Sequence, residues 1–379
     1  MRVIIVQRIF SNYREPIFNL LAKNVELLVL HSSESSGIKQ VITSYSRKVH
    51  SFKYAPKDTA IHLMVLPSIL KFKPHIIIHE FTPSIISLHI SFLISKFLGI
   101  KFIVWGHGYN RTKSFNPRKS LSSKIRLFYM RYSDAVILYG YETKNELSKY
   151  VSEKKLFVAP NTIDTNRFLD IYKIFDKIGR EIIRQRIGFT HLYNILFIGR
   201  LLKNKLPDYL ILLYEKLILK FPDKIAVHFV GEGEMLIPLQ QEVLLKNYSK
   251  DFFFHGEIHD DIKSGELLYA SDIMVMPGYV GLSVNHAFCF ACPVATFKQG
   301  PNGPFHSPEI EYIRDNLTGI LAKSFDLDDM ADRVVEYLQN NELQMKMRSN
   351  ISNLINTTCS INQMLLGFTN CFKSLSIKK

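Results

Sequence analysis

Short, wholly apolar runs alternate along this chain with longer stretches whose apolar residues recur every three or four positions. A strand that is apolar on both faces needs cover on both sides, and intervening helices supply it. The pattern therefore dictates parallel sheets wrapped by helices, an α/β doubly wound arrangement. In the first half, 3–6, 25–30, 76–78, 102–104 and 135–138 read as strands, with helices near 15–23, 84–98 and 141–150. In the second half the strands are 195–198, 226–230, 252–254, 273–276 and 294–297, and the helices fall near 208–220, 234–246, 284–290 and 327–339. At 379 residues one core does not suffice, and a polar stretch at about 165–190 divides the chain. We expect an N-terminal Rossmann-like domain at 1–165 and a second at 190–355, with a last helix at about 360–376 returning to the first.

In open sheets of this kind, ligands bind beyond the carboxyl ends of the strands. One such end stands out: Phe197-Ile198-Gly199-Arg200-Leu201-Leu202-Lys203-Asn204-Lys205 closes the apolar run 193–198 and precedes the helix near 208–220. Gly199 lets the backbone approach an anion. Arg200 can grip phosphate oxygens with two parallel hydrogen bonds, and Lys205 adds a compact charge near a helix N-terminus. The stretch reads as a place to hold a diphosphate, although a solvated basic loop has the same spacing. After the first strand, Gln7-Arg8-Ile9-Phe10-Ser11-Asn12-Tyr13-Arg14 offers Arg14 as a partner for an acceptor phosphate, with ordinary surface placement as the other reading.

Charge is unevenly placed. The chain has 48 Lys+Arg against 34 Asp+Glu, net +14, yet residues 1–175 hold 26 and 11 while residues 176–379 hold 22 and 23. Arg111, Lys113, Arg118, Lys119, Lys124, Arg126 and Arg131 are set among Leu121, Ile125, Leu127, Phe128 and Tyr129. A solvated face, a nucleic-acid surface and an anionic membrane surface all fit a basic run. The interleaved apolar residues favour the membrane surface, and no nucleic-acid-binding motif accompanies them. Cys289-x-x-Cys292, Cys359 and Cys371 lack a second Cys or His pair and read as packed, reduced thiols. Met1-Arg2-Val3-Ile4-Ile5-Val6 runs directly into a strand, so no signal peptide is expected, and no uninterrupted apolar span of about 20 residues predicts a membrane-spanning helix. The expected location is cytoplasmic, peripherally at the inner face of the membrane.

Taken together, these motifs resemble the family 4 (group 1) glycosyltransferases, retaining enzymes of the GT-B architecture that use nucleotide sugars. Gly199-Arg200 with Lys205 resembles that family's diphosphate clamp. Val230-Gly231-Glu232-Gly233-Glu234 is similar to its Gly-x-Gly turn, where Gly231 and Gly233 let a nucleotide approach. Phe254-His255-Gly256, followed by Leu267-Leu268-Tyr269-Ala270-Ser271-Asp272, resembles the segment bordering the base. Pro160-Asn161-Thr162-Ile163-Asp164 resembles the Pro-Asn-Gly-x-Asp signature near the domain junction. Val104-Trp105-Gly106-His107-Gly108 is similar to the strand end that sets a histidine, here His107, beside the donor sugar, with Arg111 in reach of the donor phosphates. The resemblance implies two Rossmann-like domains facing across a cleft.

One departure concerns the two glutamates that the family carries eight residues apart. Anchored on Cys292-Pro293-Val294, their positions hold Gly278 and His286. The loop with Gly278, Val280, Gly281 and Leu282 can still offer backbone N–H groups to a phosphate or sugar. His286 is expected to face the nucleotide ribose or phosphate, packing within a helix being the other reading. His306-Ser307-Pro308-Glu309-Ile310-Glu311-Tyr312 resembles the family's Pro-Glu segment, and Glu309 or Glu311 is a candidate for the missing carboxylate.

The resemblance implies transfer of a hexosyl or N-acetylhexosaminyl group from a nucleotide-diphosphate sugar to a lipid-linked or growing glycan acceptor. It implies retention, with no cofactor and no metal beyond the nucleotide-sugar co-substrate, in polysaccharide synthesis of the bacterial surface type. Arg200 and Lys205 would steady the leaving diphosphate. A sugar-nucleotide epimerase of the same architecture and a non-catalytic nucleotide-sugar-binding subunit are the alternatives.

Overall fold

A computed structural model describes residues 1–32, 40–54, 59–62, 65–112 and 115–375. Lys113 of the basic run, and the last position of the expected terminal helix, lie outside these. The chain forms two units, Met1–Asp164 with Ile361–Lys379, and Thr165–Ser360.

The first unit is built on a seven-stranded parallel sheet. Its strands are β1 (Arg2–Val6), β2 (Glu26–His31), β3 (Ser46–Lys48), β6 (Ile76–Glu80), β7 (Lys101–Gly106), β8 (Ala135–Leu138) and β9 (Leu156–Val158), in the order β3-β2-β1-β6-β7-β8-β9. A hairpin of β4 (Ser51–Tyr54) and β5 (Thr59–His62) stands apart from it. Helices α1 (Glu15–Ala22), α2 (Val65–Phe72), α3 (Ile86–Phe97), α4 (Leu121–Tyr132) and α5 (Tyr141–Leu147) connect the strands. β1 shows why the fold needs both layers. Val3 and Ile5 bury into one core with α1, while Ile4 and Val6 bury into the opposite core with α2 and α3. The last helix, α14 (Ile361–Ser374), belongs to this unit and packs on β9 and α1 through Met364, Phe368 and Phe372. Gly367 permits the approach, since a Cβ there would lie 2.1 Å from the Val158 carbonyl oxygen.

The second unit is a six-stranded parallel sheet of β10 (Tyr193–Ile198), β11 (Ile225–Val230), β12 (Phe252–Phe254), β13 (Ile273–Val275), β14 (Val294–Phe297) and β15 (Gly319–Ala322). The order is β12-β11-β10-β13-β14-β15, so the winding reverses between β10 and β13. Helices α8 (Tyr209–Leu217), α9 (Leu236–Leu245), α10 (Asp261–Ala270), α11 (Ser283–Cys289), α12 (Leu327–Gln339) and α13 (Asn341–Thr357) complete it. The stretch 165–190, expected as a polar divider, instead forms α6 (Thr165–Ile178) and α7 (Arg180–Arg186) of this unit. Each presents a narrow apolar stripe, and Phe175 and Ile183 lie in the core beneath. Among the described residues, no helix is long and apolar enough to cross a membrane.

Candidate active site

The reversal between β10 and β13 sets two strand ends side by side. β10 ends at Ile198, level with Val230 of β11, so Gly199 faces Gly231. A Cβ on Gly231 would lie 2.2 Å from the Gly199 carbonyl oxygen, and one on Gly233 would lie 2.4 Å from that of Leu201. The Gly-x-Gly turn is thus required first by two backbones in contact. The chain after Gly199 then turns through 203–205 and brings Lys205 back. Its Nζ lies 2.7 Å from where a Gly199 Cβ would stand, so the ammonium rests against the glycine.

Arg200 is exposed, whereas Lys205 is partly buried. Burial, and then the neighbouring Arg200 charge, pull the Lys205 pKa down to about 8. Among the described residues neither side chain has an ion-pair or hydrogen-bond partner. Two cations held close at a strand end, with no acid to neutralise them, form a site that an anion would stabilise.

β13 delivers the second wall. The Gly278 and Tyr279 amides donate to the Lys205 and Asn204 carbonyls, at 3.0 and 2.9 Å, tying this loop to the clamp turn. A Cβ at Gly278 would lie 2.4 Å from the Asn204 carbonyl oxygen, so the loop as it lies here admits no side chain at this position. The Val280 amide donates to His306 Nδ1 at 3.3 Å, and His306 Nε2–H donates to the Phe297 carbonyl at 2.9 Å, which fixes a neutral tautomer. Tyr279 and Ser307 hydroxyls meet at 2.8 Å. The expectation that this loop offers its N–H groups to a ligand is corrected accordingly. The Gly278, Tyr279 and Val280 amides are consumed within the protein, which leaves those of Gly281 and Leu282. His306 as a brace was beyond sequence reasoning, because it acts on a residue 26 positions away.

His286, expected to turn toward a nucleotide, packs its ring against Phe168 and Phe290, with centroids at 4.6 and 5.8 Å. The cause is α6, which covers this side of α11. Its Nε2 is enclosed without a partner among the described residues, and burial lowers its pKa to about 4, so the ring is neutral. Glu309 is fully buried and Glu311 partly exposed, in a short 3-10 turn, Pro308–Tyr312, packed against α11. His255 is exposed at the end of β12, and its Nε2 lies 3.1 Å from Nδ1 of His228. His228 in turn reaches Asn194 Oδ1 at 3.1 Å, and burial followed by the His255 charge hold it neutral, with a pKa lowered to about 3.

In the first unit the winding reverses between β1 and β6. The Arg8 backbone N–H and guanidinium both bind Glu80, at 2.9 and 2.8 Å. Burial works against the Glu80 carboxylate, but Arg8 outweighs it and lowers the pKa. Arg14 is not a surface residue: only 5% exposed, it donates to Asn161 Oδ1 at 2.7 Å and lies over the rings of Trp105 and Tyr139 at 4.9 and 5.1 Å. His107 caps the other side of this group, its ring edge-on to Tyr139 at 4.9 Å. Crowding by protein atoms, then Arg111, Arg14 and Arg126, push the His107 pKa down, against the pull of Glu80. The side chain still meets solvent, which tempers the shift without changing its direction, so the imidazole is neutral at neutral pH. Arg111 leans on Thr143 and Glu142, at 3.4 and 3.7 Å, and Arg126 points inward to the Phe81 and Gly108 carbonyls, both at 3.3 Å.

Among the described residues, no three His, Cys, Asp or Glu side chains gather as they would around a metal ion. All four cysteines are buried, and none of them is in a disulfide.

These two winding reversals, one with a pair of cations at its strand end, define a two-domain Rossmann-like fold of the GT-B kind. Residues 179–353 match the family described as Glycosyl transferases group 1, and residues 19–167 match Glycosyltransferase Family 4. The chain belongs to the family 4 (group 1) glycosyltransferases. An uncharacterized glycosyltransferase of Methanocaldococcus jannaschii is 25% identical over 280 residues, 66% of this chain and 69% of that protein. The poly(ribitol-phosphate) alpha-N-acetylglucosaminyltransferase of Staphylococcus aureus is 26% identical over 179 residues, 47% of this chain and 34% of its own length. In fold, the chain is similar to Anabaena HepE, solved in complex with UDP, with a TM-score of 0.69 at 14% identity over 99% of this chain and 100% of that one.

Proposed function

We propose that this glycosyltransferase moves a hexosyl or N-acetylhexosaminyl group from a uridine diphosphate sugar to a glycan or lipid-linked acceptor, with retention, in surface polysaccharide synthesis. The observation that carries the reading is the pair of uncompensated cations, Arg200 and Lys205, at the winding reversal of the second unit. Breaking the anomeric C–O bond leaves positive charge on the sugar and negative charge on the departing diphosphate. Two cations already in place stabilise that negative charge without reorganisation, an effect worth about 3 kcal/mol per group in comparable sites. The clamp supplies this charge from side chains, so no metal or other cofactor enters the scheme. UDP is favoured as the carrier by the likeness to a UDP-binding fold, and a polymeric acceptor by the polymer named for the Staphylococcus relative.

His107, held neutral, fits the family's histidine role as a hydrogen-bonding partner for a sugar hydroxyl. Gly199, Gly231 and Gly233 allow the nucleotide close to the backbone, and His255 borders the base. Amides of Gly281 and Leu282, with Glu311 rather than the fully buried Glu309, complete the donor site. Retention assigns the acceptor's proton to the leaving phosphate, which needs no protein base. Arg14 serves the acceptor side by holding the Tyr139–His107 wall. The enzyme works peripherally at the inner face of the membrane.

Product analysis on a labelled UDP-sugar tests this reading. Transfer with UDP release is expected, insensitive to chelation of divalent metals. An epimerised donor, or tight binding without turnover, would replace it with the other two readings.

A further inference from the structure

The basic run of the first unit does not act as one surface. Tyr129 is buried, and Arg126 turns inward. What remains outside is orderly. Leu121, Ile125, Phe128 and Tyr132 recur along one line of α4, with Leu121 73% and Tyr132 60% exposed. On α3, Leu93 and Phe97 form a second exposed line, Phe97 at 90%. The two helices are neighbours, since the Phe92 ring of α3 meets that of Phe128 at 5.9 Å and Lys96 bridges to Asp134 beyond α4 at 3.1 Å.

Single exposed apolar residues need no explanation, but two adjacent stripes of aromatic and branched side chains are costly to leave in water. Charge indicates what covers them. From Phe81 to Ser133 the sequence has nine Lys and Arg and not one Asp or Glu. Arg118, Lys119 and Lys124 are exposed beside the α4 stripe, without an acidic partner among the described residues.

We propose that the α3–α4 face of the first unit is a docking surface for an anionic lipid bilayer. Leu93, Phe97, Leu121 and Phe128 enter the interface between headgroups and acyl chains, and Arg118, Lys119 and Lys124 meet the lipid phosphates. The assignment rests on the proposed membrane location and gives it a place in the fold. A second protein copy would also value the apolar stripes, but it would bring the same uncompensated positive charge against them. A lipid phosphate answers both features at once.

The test is sedimentation of the full chain with vesicles of phosphatidylcholine carrying about one third phosphatidylglycerol, against phosphatidylcholine alone. The wild type is expected to sediment with the anionic vesicles only and to be released by salt. Leu121→Ser with Phe128→Ser should lower partition at least tenfold, roughly, by removing inserted apolar area. Lys119→Gln with Lys124→Gln should lower it by about tenfold or more through lost charge. Melting temperature and stabilisation by UDP, read on every variant, should stay at wild-type values, which separates lost docking from lost folding. Wild type that stays in the supernatant, variants that sediment like wild type, or a concentration-dependent dimer dispersed by the Phe128 change would each overturn the assignment. None of these outcomes would touch transfer to a water-soluble acceptor, which tests the proposed activity separately.

Discussion

At the scale of single residues the account turns on Lys205. Burial and the Arg200 charge hold its pKa near about 8, and a bound diphosphate would raise it again. The protonated form is the one that binds. Nucleotide affinity should therefore be flat below pH about 8 and weaken above it, by up to about tenfold per pH unit, until the pKa of the complex is reached. Lys205→Arg should remove that limb, because a guanidinium stays charged throughout. Calorimetric titration of UDP between neutral and alkaline pH reads both. Arg200→Ala should cost about ten- to a hundredfold in kcat/KM, the loss of charge-assisted bonds, with an unchanged melting temperature because the side chain is exposed. Gly231→Ala should behave in the opposite way and destabilise the fold, since its Cβ would sit 2.2 Å from the Gly199 carbonyl oxygen. Thermal unfolding of that variant against wild type checks it. The grouping of Gly199, Arg200 and Lys205 was legible because the three are close in sequence. The cage around Arg14 was not, because Trp105, Tyr139 and Asn161 come from three separate strand ends.

At the scale of elements, the central strands β1, β8 and β14 were legible because their runs are apolar on both faces, whereas the apolar edge strands β9 and β15, only three and four residues long, were missed. The short edge strand β3 was missed because Ser46–Lys48 is polar, being covered on fewer sides. α6 and α7 were read as a divider because charged residues crowd their outer faces, although Phe168, Ile171, Tyr172, Phe175 and Ile178 recur at helical spacing and pack on the core, so the signal for α6 does stand in the sequence. α14 is the element whose loss should matter most to the first unit. Phe368 is fully buried and meets Trp105 at 5.0 Å. Phe368→Ala should cost about 3 to 5 kcal/mol of stability, measured by denaturant unfolding. A change below about 1 kcal/mol would mean the helix is not part of that core.

At the scale of the whole molecule, two units with separate cores share one chain that leaves the first unit and returns to it as α14. The proposed division of labour follows from charge: the net positive excess lies in the N-terminal half, and the clamp in the second unit. The central claim is that the second unit holds a nucleoside diphosphate through Arg200 and Lys205. Its most direct test is isothermal titration of UDP into the wild type and into the Arg200→Ala, Lys205→Ala double variant at neutral pH. The account predicts one site on the wild type and affinity lowered by about a hundredfold or more in the folded double variant. Equal affinity in the two proteins would contradict it.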